Sequence, residues 1–332
     1  MPIRILKSTD NNPWFNLATE DHIFRDMDPS VDVLFLWQNQ SNIVIGRHQN
    51  PWAECDLEAM EENGVLLTRR QSGGGAVYQD LGNSCWTFLS GKSAYSVERN
   101  FQLVIAALKR LGIEAEVSGR NDITVEGRKV SGSAFKLAAD RAFHHGTMLL
   151  HTDLARLGSL LRPDQRKLQS KGVTSVRSRV ANLSEWVPGL DHGKFCDALV
   201  AAFRDHHGED APVEMLDRSS LEVIPGLAAY YEHQSDWKWR FGETPEFEIT
   251  LQTRFDWGLV DVHLNTARGV VAAAKVFSDS LHPEMIDGVT DVLVGVPYRG
   301  EDLANAVRDL TSERDYAREG GDLATWLTTA VG

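Results

Sequence analysis

Cysteine is scarce in this chain of 332 residues: Cys55, Cys85 and Cys196 stand far apart and form no CxxC. That spacing argues against a disulfide framework and against a thiolate zinc site, and it fits a reducing compartment. No run approaches the roughly 18 apolar residues that a membrane span needs. The opening MPIRILKSTDNN lacks the apolar core of a signal peptide, so the cytoplasm is the expected location. Positive charge is in deficit. With 34 Lys and Arg against 47 Asp and Glu, the net charge is −13, unsuited to DNA or to an anionic membrane. No GxSxG occurs, so a serine hydrolase has no support. Internal repeats and low-complexity tracts are also missing.

What is present reads as a globular protein, 42% hydrophobic and 24% charged. The length suits one large domain and a smaller one. Along the first part, strand-like and helix-like patterns alternate. Residues 3–6 form a short strand, and residues 13–27 a helix with Leu17, Phe24 and Met27 inward. VDVLFLW and SNIVIGR are predicted to pair as a hairpin around the polar QNQ. Residues 51–63 read as one helix, with proline at its start and Gly64 just past its end. The clearest helix covers 97–111, where Phe101, Val104, Ile105, Leu108 and Leu111 make a single stripe closed by Gly112. NDITV and RKVSGSAF form a strand pair joined at Glu126 and Gly127, and HHGTMLLH another strand. A helix over 192–203 follows. Near Gly242 to Pro245 the composition becomes that of a linker. Beyond it lie strands FEITLQ, LVDVHLN and VVAAAKVF, then helices around 303–310 and 323–327. The expectation is an α+β protein: a large domain over 1–243 and a small α+β domain over 247–332.

Several segments carry chemistry. In RRQSGGGAVYQD (69–80) a strand runs into Gly73, Gly74 and Gly75 beside Arg69 and Arg70. Neither a Rossmann fingerprint nor a Walker A spacing is met. Bare backbone N–H groups can nonetheless wrap phosphate oxygens that an arginine engages bidentately. If the strand continues, the two arginines point to opposite faces, and only one serves a ligand. By the same alternation Lys129, Ser131 and Ser133 share a face, a long cation among small residues. Asn121 and Asp122 precede that strand, as a turn or as a contact to magnesium or nucleotide. His144 and His145 diverge on an extended chain, which disfavours a two-histidine metal site, and His206 and His207 read as a polar loop. Residues 162–179 hold six basic side chains against the single acid Asp164, a candidate mobile lid.

Taken together, RRQSGGGAVYQD, SGRNDITV, RKVSGSAF, HHGTMLL and KGVTSVRSRVANL resemble the lipoate–protein ligase A family, in the same order and over the whole chain. PWFNLATE and LFLWQN…VIGRHQNPW look like that family's N-terminal segments. The resemblance implies a biotin/lipoate ligase-type catalytic domain of mixed sheets and packed helices, with an accessory C-terminal domain. It also implies a reaction: ATP and lipoate give lipoyl-AMP, whose lipoyl group passes to a lysine of an acceptor domain. Carried over by position, Lys129 is the catalytic cation between α-phosphate and lipoyl carboxyl. Arg70, Gly75, Ala76, Val77, Tyr78, Asn121 and Asp122 contact ATP or adenylate, and Asp122 also contacts Mg2+. Lipoate meets Lys129, Arg70, Gly74 and Trp37, the last by inference from an apolar slot shared with Val77. Lys171, Ser175, Arg177 and Arg179 belong to an adenylate-binding loop. The family often has histidine where Gln79 stands here, and glutamine cannot shuttle protons. Implied partners are the apo lipoyl domains of 2-oxoacid dehydrogenase complexes and the glycine-cleavage H protein, the enzyme being a monomer that binds neither nucleic acid nor membrane. The alternatives are an octanoyl or lipoyl transferase of the same superfamily working without ATP through a cysteine, and a non-catalytic ligand-binding regulator.

Overall fold

The computed structural model describes residues 2–161, 180–241 and 249–331. Its internal contacts separate into two compact units. One comprises Met1–Val44, Pro51–Arg69 and Ala76–Arg240; the other comprises Ile45–Asn50, Arg70–Gly75 and Phe241–Gly332.

The strands of the first stretch are β1 (Ile3–Ser8), β2 (Asp32–Trp37), β3 (Asn42–Ile45), β4 (Leu66–Arg69), β5 (Val77–Gln79), β6 (Asn83–Gly91), β7 (Glu116–Ser118), β8 (Asp122–Val125), β9 (Arg128–Leu137), β10 (Arg141–Leu149) and β11 (Val213–Leu216). Eight of them form one mixed sheet in the order β11-β1-β2-β6-β10-β9-β8-β7, and β4-β3-β5 form a small second sheet. β1 runs parallel to both β11 and β2, while β6 is antiparallel to β2 and β10.

Strand β2 explains the architecture. All six of its residues are buried, because both faces of the sheet are covered. Leu34 and Leu36 point to a core shared with α2 (Val97–Arg110) and α3 (His192–His207). Val33, Phe35 and Trp37 point to a second core with Leu17, Ile23 and Phe24 of α1 (Pro13–Asp26). A near-continuous apolar run is what a strand buried on both faces requires. The expected hairpin with SNIVIGR is therefore corrected: β2 lies in the large sheet and β3 pairs with β4 and β5 in the other. The QNQ segment is a crossover, held where Asn16 of α1 donates to the carbonyl of Gln38 and to Asn39 Oδ1 at 3.0 and 2.9 Å.

Polar side chains cap three of the helices. Asn12, Ser96 and Asp191 accept from the first-turn amides of α1, α2 and α3. The single helix expected over 51–63 is instead two, Pro51–Glu54 and Leu57–Glu62. Cys55 and Asp56 separate the two, and Asp56 caps the second, accepting from Ala59 N at 3.2 Å. His206 and His207 are the last turn of α3, not a loop. The segment after Gly208, which adds β11 and three short helices over Ser220–Val223, Leu227–Ser235 and Trp237–Phe241, carries no strong sequence periodicity.

In the second unit β12 (Ile249–Phe255), β13 (Gly258–Ala267) and β14 (Val270–Ser278) form an antiparallel meander. Val260, Val262 and Leu264 alternate inward against α4 (Pro283–Leu293), α5 (Gly300–Thr311) and α6 (Ala317–Ala330). Of these helices α4 was not anticipated. Among the described residues no helix is long and apolar enough to cross a membrane.

Candidate active site

The β8–β9 hairpin turns at Glu126 and Gly127, whose φ angles of 50° and 74° are those of a tight two-residue connection. Opposite the turn the register slips. Asp122 faces Gly132 and Ile123 faces Ser131, but Thr124 faces Lys129, so Val130 is an extra residue and β9 carries a bulge. This breaks strict alternation. Ser131 and Ser133 are buried on the core side, where Ser133 Oγ lies 2.9 Å from His144 Nε2, itself edge-on to Trp86 and Phe101. Lys129 lies on the other side, above Gly132. The expectation that Lys129 shares a face with the two serines is thus corrected, the bulge being the physical reason. Lys129 Nζ stands 2.7 Å from Asp122 Oδ1, both side chains about a third exposed (38% and 33%). Asn121 fastens this corner: its carbonyl accepts from Ser133 N at 2.8 Å and its Nδ2 donates to Ser133 O at 2.9 Å. Ala181 N closes the far edge, donating to Lys129 O at 2.9 Å.

The two arginines part company, as alternation requires. Arg69 Nε and Nη2 donate to the carbonyls of Trp239 and Arg240, each at 2.8 Å, and Trp239 Nε1 donates back to Arg69 O at 3.0 Å. Arg70 turns into its own loop, where Nη2 donates to Gly73 O and Gly75 O at 2.6 and 2.8 Å and Nε to Ser72 Oγ at 3.1 Å. Inside the second unit, Gly74 N donates to Ser280 O at 3.0 Å with φ at 91°. A Cβ on Gly73 would collide with the Ser280 carbonyl, and one on Gly46 with the Gly74 carbonyl, whereas a Cβ on Gly75 would meet open space. Gly73 and the Gly74 N–H therefore meet the protein's own backbone. At Gly75 the side-chain direction is open.

After the loop, β5 carries the rest of the motif. Tyr78 is buried with its hydroxyl 3.3 Å from Ser41 Oγ, and Val77 packs in the cluster that includes Trp37. Gln79 Oε1 accepts from Asn39 Nδ2 at 2.8 Å, a structural bond with no proton to move. Lys171, Ser175, Arg177 and Arg179, with the proposed lid, lie outside the described residues.

One constellation escaped the sequence reading. Trp37 Nε1 donates to Thr87 Oγ1 at 3.1 Å, Thr87 Oγ1 donates to Glu20 Oε2 at 2.6 Å, and His145 Nδ1 lies 2.9 Å from the same oxygen. All four residues are buried, and the chain fixes the indole plane. The available signal was a carboxylate at position 20, within the stripe that Leu17 and Phe24 define on α1. His145 and His144 do point apart, as expected.

His192 sits one turn before Cys196 on α3, with ring nitrogens 3.4 and 3.6 Å from Sγ, and its Nδ1 lies 2.8 Å from Ser84 Oγ. A histidine is therefore adjacent to this thiol. It does not activate the thiol: burial pushes Cys196 up to about 12 and holds His192 down to about 4. Cys85, fully enclosed, is also pushed well above the usual thiol range by burial. A reactive cysteine needs the opposite environment.

Residues 12–204, which carry the large mixed sheet and the bulged hairpin with Lys129 beside Asp122, match the family described as lipoyl protein ligase A/B catalytic domain. The family described as bacterial lipoate protein ligase C-terminus matches residues 244–327. The chain belongs to the lipoate–protein ligase A family. It is 48% identical to the lipoate-protein ligase A of Psychrobacter cryohalolentis, over 98% of each chain. Among solved structures it resembles P. falciparum LipL1 in complex with lipoate (TM-score 0.86, 32% identity, 98% of this chain and 99% of the other). A lipoate-protein ligase A bound with ATP is similar at 25% identity and TM-score 0.63, over 73% of this chain and 99% of the other.

Proposed function

We propose that the chain is a lipoate–protein ligase. It activates lipoate with ATP, the lipoate carboxylate attacking the α-phosphorus as pyrophosphate leaves, and then passes the lipoyl group to a lysine of an apo lipoyl domain as AMP leaves. The observation that carries this is the 48% identity to a lipoate-protein ligase A over 98% of both chains. The ATP-independent transferase is disfavoured by the three cysteines, all buried.

Our assignment of roles extends from there. Two anions must meet in the adenylation step, so catalysis is chiefly charge neutralisation and alignment. Lys129 is the cation we assign to the α-phosphate and the carboxyl oxygen. Its ammonium already has an oxyanion partner in Asp122 at 2.7 Å, which supports the geometry of such a contact. For Arg70 and the segment Gly75, Ala76, Val77 and Tyr78 we propose nucleotide and adenylate contacts. The guanidinium donates to the carbonyls of Gly73 and Gly75, acceptors weaker than a phosphate oxygen. Asn121 joins the nucleotide contacts. Trp37, its indole fixed by Thr87, and Gly74 are assigned to lipoate.

The donors near Lys129 fit Mg2+ as a substrate-borne ion. Among the described residues no cluster of three His, Cys, Asp or Glu side chains exists, and magnesium is commonly held by one or two carboxylates plus phosphates. Asp122 would supply that carboxylate, and the ion would supply charge neutralisation. We further propose a catalytic domain over 1–243 and an accessory domain over 247–332, monomeric and cytoplasmic. The acceptors proposed are lipoyl domains of 2-oxoacid dehydrogenase complexes and the glycine-cleavage H protein. The test is ATP–pyrophosphate exchange with and without lipoate, followed by modification of an apo lipoyl domain. Lipoate-dependent exchange is expected; acyl transfer without ATP would overturn the reading.

A further inference from the structure

Lys129 does not reach Asp122 by the ordinary geometry of a strand. Asp122 is paired across the ladder with Gly132, three residues beyond the lysine. For the ammonium to arrive there, the side chain must lie along β9 and pass over residue 132. The bulge at Val130 turns Lys129 to the correct side, and residue 132 must then leave the path clear. A Cβ at Gly132 would stand 3.0 Å from Lys129 Nζ, 3.1 Å from Cε and 3.8 Å from Asp122 Oδ1. Both lysine distances are tighter than ordinary van der Waals contact. The atoms in the way are the flexible end of one side chain, and no backbone is among them.

We propose that Gly132 is a positioning residue for the adenylation step: its bare Cα is the shelf on which Lys129 lies, with Asp122 as the stop that sets where the ammonium comes to rest. The inference rests on the role assigned to Lys129 above. Gly132 has no left-handed φ, so an L-residue is compatible with its backbone. An added methyl displaces only the lysine tip by a few tenths of an ångström or lifts it off the strand. The fold is kept while the cation moves. In a reaction governed by alignment, misplacement by about 1 Å costs about 10²-fold, so a shift of a few tenths of an ångström lowers kcat by roughly 3–10-fold and a lysine lifted off the strand by up to about 100-fold. The effect belongs in kcat, because lipoate and ATP keep their other contacts.

A double-mutant cycle tests this, with ATP–pyrophosphate exchange in wild type, Gly132→Ala, Lys129→Ala and the double variant, and melting temperatures for all four. The expected result is a loss of kcat in Gly132→Ala with KM nearly unchanged, and no further loss when Gly132→Ala is added to Lys129→Ala, because its target is already gone. Gly132→Ala overturns the proposal if it keeps wild-type kcat, if it costs as much without the lysine as with it, or if its melting temperature falls by more than about 4 °C. The last result would mean that the methyl strikes something other than the lysine. Near wild-type exchange in Lys129→Ala alone would instead remove the assignment on which the inference stands.

Discussion

At the scale of single residues, charge and burial decide which groups can act. Lys129 is a cation that keeps partial access to solvent while paired at 2.7 Å with a carboxylate. Lys129→Ala should lower lipoyl-AMP formation by 10²–10³, the usual cost of removing one contact that stabilises developing charge, about 2.7–4 kcal/mol. Exchange at the wild-type rate would exclude this role. His144 shows the opposite case. Burial among Trp86 and Phe101 pushes it down to about 3, so it is neutral in the folded protein at neutral pH. An unfolded histidine takes its proton near 6.5. Between about 6.5 and 3 the unfolded chain therefore binds the extra proton, and stability falls as pH falls through that window, by up to about 1.4 kcal/mol per pH unit. Above 6.5 the contribution is complete. Urea unfolding at pH 7, 6 and 5 should show the decline, with a shallower slope in His144→Gln. An unchanged slope would place the acid sensitivity elsewhere, for instance at His192 or His207, both held down to about 4.

At the scale of elements, the loop over Arg70–Gly75 separates two uses of glycine. Gly73→Ala sets a methyl against the Ser280 carbonyl, whereas at Gly75 the methyl enters open space. Gly73→Ala should destabilise by about 1–3 kcal/mol as an overpacking change, and Gly75→Ala by less than about 0.5 kcal/mol. Thermal melts of the two proteins compare them directly, and equal melting temperatures would contradict the packing described. The same contrast explains what the sequence made legible. Helix α2 was readable because its stripe of Phe101, Val104 and Leu108 is a local period, and the β8–β9 turn because Glu126 and Gly127 are local chemistry. The chemistry-bearing residues, Lys129, Asp122 and Arg70, were singled out by type and neighbours. Features set by pairing with distant chain were not. The bulge at Val130 leaves no mark on composition. The false hairpin arose because β2 and β3 are adjacent in sequence but join different sheets. Glu20 looked like any helix carboxylate until Thr87 and His145 closed on it.

For the whole molecule the question is whether the acyl group ever rests on the protein. An acyl-adenylate is already activated, so the acceptor lysine can attack it directly. Alanine at Cys55, Cys85 and Cys196 together should cost about 1 kcal/mol of stability per site at most sites and leave ATP-dependent lipoylation intact. The triple variant, first shown to be folded by circular dichroism, is assayed for both half-reactions. If it still makes lipoyl-AMP yet cannot modify an apo lipoyl domain, a thioester intermediate exists and the direct transfer is wrong.

The second compact unit is stitched from three stretches of chain, two of them from the early part of the sequence. His48 contacts the Pro283 carbonyl at 3.0 Å across 235 positions, and the amide of Ser278 donates to the carbonyl of His48. On the ribosome, Ile45–Asn50 and Arg70–Gly75 emerge long before their partners exist. At roughly 5–20 residues per second, they wait on the order of ten seconds or more, with backbone amides such as that of Gly74 still turned to water. The motif that opens the chemistry thus becomes ordered late in biogenesis, and a nascent chain stalled before residue 278 cannot hold the loop in its mature form.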